Sequence, residues 1–220
     1  CSSDLGSRCA PGVYDLDAAW ERGVAYLLAM QREDGGWKDS IYDFGGTDGL
    51  PNVQVAVSAI AARGLLEARA RGAEDPGLDP ALRRALGFLL DEGNLNLQDS
   101  DELVWAYTYR AQTLSRWLEL LPEDAETVRP ALLHIGQRLL EEQQQDGSWA
   151  HEYSNPFVTA EGLLALRAIS TVLGVAWPHP GSGLKPTECK VPAAPRSKDL
   201  FRDRKSTRLN SSHTVISYAV

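Results

Sequence analysis

Three acids stand together at Asp99, Asp101 and Glu102, and aromatic side chains follow at Trp105, Tyr107 and Tyr109. A carboxyl flanked by other carboxylates can serve as a general acid when it is kept dry, and ring faces beside it can stabilise positive charge. The same acids also suit a helix start, through capping and the helix dipole. His151 follows Trp149 closely and reads as a rim residue of a binding surface, whereas His134 falls among helix residues and reads as a surface or packing side chain. Cys1, Cys9 and Cys189 show no CxxC spacing and no paired histidine, so no metal site is expected. No Gly-rich phosphate loop and no Ser-His-Asp arrangement stands out, and no cofactor is expected.

The elements that must position these side chains are helical. The chain has 220 residues, 43% hydrophobic and 24% charged, with a formal net charge of -8. That acidity argues against nucleic acid or an anionic membrane as partner. No run approaches about 18 apolar residues, so no transmembrane segment is expected. Asp15-Leu16-Asp17 opens a first helix running to Gln31, and Asp34-Gly35-Gly36 stops it. Residues 38–52 read as a long loop, with Asn52 capping a second helix from Val53 to about Arg71 that is apolar nearly all round its first half. A helix without a polar face belongs inside a two-layer array. Asp79-Pro80 starts a third helix, Leu103 to Leu121 forms a fourth, Arg129-Pro130 starts a fifth, and Asn155-Pro156 opens a sixth to Gly174.

These six helices form three pairs that repeat. Leu27, Leu28, Gln31, Asp34, Gly35 and Trp37 recur as Leu139, Leu140, Gln143, Asp146, Gly147 and Trp149, and Pro80-Ala81-Leu82 recurs as Pro130-Ala131-Leu132. The middle pair keeps Arg84-Ala85-x-x-Phe88-Leu89 against Arg22-Gly23-x-x-Tyr26-Leu27 but lacks the Gln and the Gly-x-Trp that follow. Self-similarity at a fixed spacing is the mark of a repeat architecture.

The stretch Arg22 to Trp37 resembles the QW repeat of squalene–hopene and oxidosqualene cyclases, prenyltransferase β-subunits and their relatives; Gln143 to Trp149 matches its C-terminal half. The resemblance covers residues 15–174 and implies an all-α fold, a partial α/α toroid of about three antiparallel helix pairs (residues 15–72, 78–121 and 129–174). Gln31, Gly35, Trp37, Gln143, Gly147 and Trp149 are then structural residues of the repeat. In the cyclases an Asp protonates the substrate from a DxDD motif before an inner helix. Here Asn155-Pro156-Phe157-Val158 holds no acid at that place, nor does the corresponding region from Leu50 to Val53. The middle repeat alone offers one, with Asp101 as donor and Asp99 and Glu102 tuning it. The prenyltransferase zinc ligands and the thioester motif of the complement-like relatives are both missing. The expected function is therefore a non-catalytic repeat domain binding an apolar small molecule or a protein segment on an aromatic face lined by Trp105, Tyr107, Tyr109 and His151. The alternative is a fragment of a class II terpenoid cyclase, working by acid-initiated cyclisation.

The ends read differently. Residues 1–14 form an irregular leader; a processed Cys1 would imply an extracytoplasmic lipoprotein, and truncation a cytoplasmic fragment. Residues 175–202 are Pro-rich and non-periodic, as a disordered tail would be. Residues 203–220 look like a translated sequencing adapter. Apolar helix faces left at both ends of a three-pair arc are expected to drive association.

Overall fold

The computed structural model describes residues 15–38 and 51–176, with the backbone of residues 187–188. The expected leader, most of the long loop, the three cysteines and most of the tail lie outside the described residues; where the expected disordered tail is described, Val175–Ala176 pairs with Thr187–Glu188 as an ordered ribbon, because Val175 is buried in the core. Six helices make up most of the described chain: α1 (Leu16–Met30), α2 (Pro51–Ala70), α3 (Leu78–Leu90), α4 (Ser100–Leu120), α5 (Ala125–Glu141) and α6 (Pro156–Leu173). Two short antiparallel ribbons accompany them, β1 (Ala150–His151) with β2 (Tyr153–Ser154), and β3 (Val175–Ala176) with β4 (Thr187–Glu188).

Helices α2, α4 and α6 lie side by side, α4 in the middle; α1 and α3 pack on α2, and α5 packs on both α4 and α6. Alternate helices thus form one layer and their partners cover it, the arrangement that an all-round apolar α2 anticipates. The buried face of α2 is rich in alanine (Ala56, Ala59, Ala61, Ala62, Ala68), which lets its neighbours approach closely, and Leu65 and Leu66 fill what remains. One continuous core runs from Val24 to Val175 through Leu82, Leu89, Leu114, Trp117, Leu132 and Ile135. Each fully buried leucine contributes about 2–3 kcal/mol relative to an exposed one.

Local signals set the clean boundaries. The Asp15 side chain accepts from the Ala18 N–H at 3.0 Å and starts α1, and Asn155 does the same for the Val158 N–H at 3.0 Å and starts α6. Gly174, at φ 65°, ends α6 in the left-handed region where glycine carries no steric penalty.

Three expectations are corrected. Asn52 is not a cap: it sits inside α2, fully buried, and bonds to the loop before α4. Helix α4 begins at Ser100, so Asp101 and Glu102 belong to its first turn. Helix α5 begins at Ala125 with Pro130 inside it, its first turn held to the core by Val128 at 0% exposure. Besides these, α6 does meet the length and composition of a membrane-crossing helix, with a mean hydropathy of 1.3 over 18 residues. It is packed against α4 and α5 here and carries Glu161 and Arg167.

Candidate functional site

The two matching turns are built by the same hydrogen bonds. In the first, Gln31 Nε2 donates to the Gly35 carbonyl at 3.0 Å, the Asp34 carboxylate accepts from the Gly36 N–H at 2.9 Å, and Trp37 Nε1 donates to the Leu27 carbonyl at 2.8 Å. In the second, Gln143 donates to Gly147 at 2.9 Å, Asp146 accepts from the Ser148 N–H at 3.0 Å, and Trp149 Nε1 donates to Leu139 at 2.8 Å. The Trp37 N–H reaches Ser58 Oγ on α2, and the Trp149 N–H reaches Thr159 Oγ on α6. Gly35 and Gly147 have φ of 93° and 87°, a backbone that disfavours any side chain. Each turn therefore locks one helix of a pair onto the next. Trp37 is 3% exposed and Trp149 0%, so both rings are structural and neither lines a ligand surface.

The middle pair replaces the lost tryptophan by another route. Arg110, fully buried on α4, donates from Nε to the Leu89 carbonyl at 2.8 Å, the counterpart of Leu27 and Leu139. Its Nη2 pairs with Glu92 at 2.6 Å. A guanidinium from α4 thus does what an indole N–H does in the flanking turns. Nothing in the sequence periodicity marked Arg110, since a charged residue on an apolar face reads as exposed.

Around the acids the structure separates the expected residues. Asn52 Nδ2 donates to the carbonyls of Asn96 and Asp99 at 2.9 and 3.1 Å, and its Oδ1 accepts from the Asn96 N–H at 3.0 Å. That buried amide fixes the loop entering α4. Asp99 marks the helix start without a side-chain capping bond, and Asp101 is exposed, away from the dry setting that a carboxyl acid needs. Tyr107 does not line a surface: it is 0% exposed, turned toward α5, with its hydroxyl 3.4 Å from Arg138 Nε.

The remaining four expected residues come together. Glu102, Trp105 and Tyr109 lie one turn apart along α4, on the side away from Tyr107. The β1–β2 ribbon presents His151, whose Nε2 lies 3.0 Å from Glu102 Oε1. A carboxylate only accepts, so Nε2 is the donor of this bond. Trp105 is the hub, with its ring centroid 5.5 Å from His151, 5.4 Å from Phe157 and 6.1 Å from Tyr109. Phe157, at 46% exposure, was not singled out by sequence; it occupies the place where an acid was sought and supplies a fourth ring instead. Burial, aided by the nearby Glu161 carboxylate, pushes the Tyr109 phenol up and keeps it a donor. Below the rings a polar rung crosses the layer: Arg63 donates to Gln112 at 3.1 Å, and Gln112 to Glu161 at 2.7 Å. Arg116 grips Glu67 at 2.8 Å, and that hydrogen bond holds the Glu67 carboxyl below its ordinary value.

The hairpin carrying His151 is held in an unusual conformation. Glu152, between β1 and β2, has φ 58°, the left-handed region, which costs a non-glycine residue about 1 kcal/mol. Trp149, directly before it, rests on Gly162 of α6, where an added Cβ would lie 2.9 Å from the indole ring. The position of His151 is thus set by a buried tryptophan on one side and a forced turn on the other. A separate cleft of about 210 Å³, lined by Arg32, Asp34, Gln54 and Asn94 among others, lies at the first turn and is polar. Comparison with protein-family models, with curated proteins and with solved structures finds no match for this chain.

Proposed function

We propose that this chain is an α/α-toroid repeat domain, related to the squalene cyclase and prenyltransferase group, that binds an apolar ligand on the aromatic face of α4 and α6. The observation that carries this reading is the cluster of Trp105, Tyr109, Phe157 and His151, which leaves Phe157 46% exposed and Trp105 half-buried on a side of α4 that no outer helix covers among the described residues. Ring faces of this kind give apolar contact area at little conformational cost. The His151–Glu102 pair adds one polar anchor at the rim, suited to a hydroxyl at the end of an otherwise apolar molecule, which can donate to the carboxylate. An apolar segment of a partner protein would meet the same surface chemistry. The repeat resemblance and the pairwise stacking of the helices support the toroid.

The test is a tryptophan-fluorescence titration with farnesol, a linear isoprenoid alcohol. Saturable quenching is expected for the native chain. Trp105→Ala is expected to weaken binding at least about tenfold, the usual effect of removing an aromatic anchor, while Trp20→Ala, on α1, leaves it unchanged. Equal binding by Trp105→Ala and the native chain would remove the proposed site. Cyclised product with farnesol or squalene that survives Trp105→Ala but not Asp101→Asn would replace the binding reading by the enzymatic one.

A further inference from the structure

The two turns differ in what lies beyond them. The first is pressed against α3: Gln31 Nε2 donates to the Ala81 carbonyl at 2.9 Å, its Oε1 accepts from Arg84, and a Cβ on Gly36 would lie 2.8 Å from the Phe88 ring. The second makes its internal bonds and meets no such helix among the described residues. Gln143 bonds to Gly147, and a Cβ on Gly147 would touch nothing within 4 Å.

The surface that α3 offers is present a second time, on α1. Setting Arg84-Ala85-x-x-Phe88 on Arg22-Gly23-x-x-Tyr26 places Leu78 on Leu16 and Ala81 on Ala19. Leu78 and Phe88 are 2% and 6% exposed, whereas Leu16 and Tyr26 are 77% and 63% exposed. The difference is one of position. Helix α3 is covered by the turn before it, and α1 has no described turn before it. Among the described residues, therefore, the turn of the third helix pair and the acceptor face of the first are unfilled, each a counterpart of one half of an interface already made inside the molecule.

We propose that these two surfaces bind each other between copies of this chain, head to tail. The Gln143–Ser148 turn of one copy docks on α1 of the next. Gln143 Nε2 donates to the Ala19 carbonyl, Gln143 Oε1 accepts from Arg22, and Leu16 and Tyr26 are buried as Leu78 and Phe88 are. Ser148 stands where Gly36 does, and the Tyr26 hydroxyl extends from the ring atom that comes nearest in the Phe88 contact, so the Tyr26 ring must swing aside, which a side chain 63% exposed can do. The contact joins two different surfaces, so it closes into a ring or extends as a filament according to the curvature of the repeat.

Sedimentation velocity over a concentration series tests this. The native chain is expected to gain mass with concentration. Tyr26→Asp removes the acceptor face, and Ser148→Arg blocks the turn. Each variant alone is expected to stay monomeric, with association at least about tenfold weaker. Mixed in equal amounts, they form a dimer and nothing larger, because each retains the one surface that the other has lost. Leu16→Glu, an acid in a first helical turn, replaces Tyr26→Asp if circular dichroism shows that variant to be unfolded. A native chain that stays monomeric throughout overturns the proposal, and binding of a free hydrophobic dye to it, lost in Leu16→Glu, would assign the face to another partner. Folded variants that associate like the native chain, or a mixture that stays monomeric, overturn it as well.

Discussion

Adding one methyl group at two glycines should have opposite effects. Gly87 and Gly162 both lie inside helices, α3 and α6. Replacing either by alanine gains about 1 kcal/mol of helix propensity, since glycine loses more backbone freedom on folding. At Gly87 a Cβ meets nothing within 4 Å, so Gly87→Ala is expected to stabilise by about 0.5–1 kcal/mol. At Gly162 the Cβ would lie 2.9, 3.1 and 3.2 Å from three atoms of the Trp149 ring. That ring cannot step aside. It is 0% exposed, its N–H is bound to the Leu139 carbonyl and its backbone N–H to Thr159 Oγ. Overpacking of this kind costs about 1–3 kcal/mol, so Gly162→Ala is expected to destabilise by about 0–2 kcal/mol net. The two variants should then differ by about 1–3 kcal/mol, seen as a gap in urea midpoints at equal slope, or about 2–4 °C in Tm per kcal/mol for a chain of this size. Because Trp149 leads into the ribbon that carries His151, Gly162→Ala should also shift the His151 ring resonances, and Gly87→Ala should not. Equal stabilisation by the two variants would refute the seating of Trp149 on α6, and with it the account of how His151 is positioned.

Three further outcomes follow from particular contacts. Arg110→Met is expected to cost about 1–3 kcal/mol in chemical denaturation, because the Leu89 carbonyl loses its donor, and Arg110→Lys should not recover the loss, since a shorter side chain ending in a point charge lacks the planar fork that sets Nε on Leu89 and Nη2 on Glu92. Burial alone would raise the Asp124 carboxyl, but the Trp117 indole N–H at 2.8 Å and the Arg83 guanidinium outweigh it and hold Asp124 below its ordinary value. Its stabilising contribution is therefore complete above the ordinary carboxylate range and fades as pH falls through the lowered value. Asp124→Asn should lose that contribution at neutral pH and flatten the acid limb of a stability-versus-pH curve. Glu152→Gly should raise stability by up to about 1 kcal/mol by relieving the positive φ, whereas Glu152→Val should lower it, both read from Tm.

The elements that were legible are those whose cause is local. Asp15 and Asn155 cap the helices they precede because a short side chain reaches a backbone N–H three residues on. The Gln-Asp-Gly-x-Trp turn was legible for the same reason, since most of its bonds close within a dozen residues. What escaped reading lay in long-range partners. Asn52 looks like a cap by type and place, but its bonds reach Asn96 and Asp99, more than forty residues away. Tyr107 and Tyr109 are two residues apart and look alike, yet a helix turns through about 200° between them, and only the position of α5 decides which one is buried. Arg110 is invisible for the same reason, as its use depends on a carbonyl left open by a tryptophan that is not there.

The sequence by itself determined that this protein is helical, where α1, α3 and α6 start and stop, and that two of its turns are copies. These follow from periodicity, capping and glycine backbone freedom, all properties of a few neighbouring residues. Only the tertiary structure decided which acid meets which base. It left Asp101 in solvent, brought Glu102 to His151 across a separation of 49 residues, and gathered Trp105, Tyr109 and Phe157 beside them. The physical reason is that the site is made by side chains projecting from α4, α6 and the ribbon before α6. Their spacing is set by the packing of α4 on α6 and of Trp149 on Gly162, which no local pattern records.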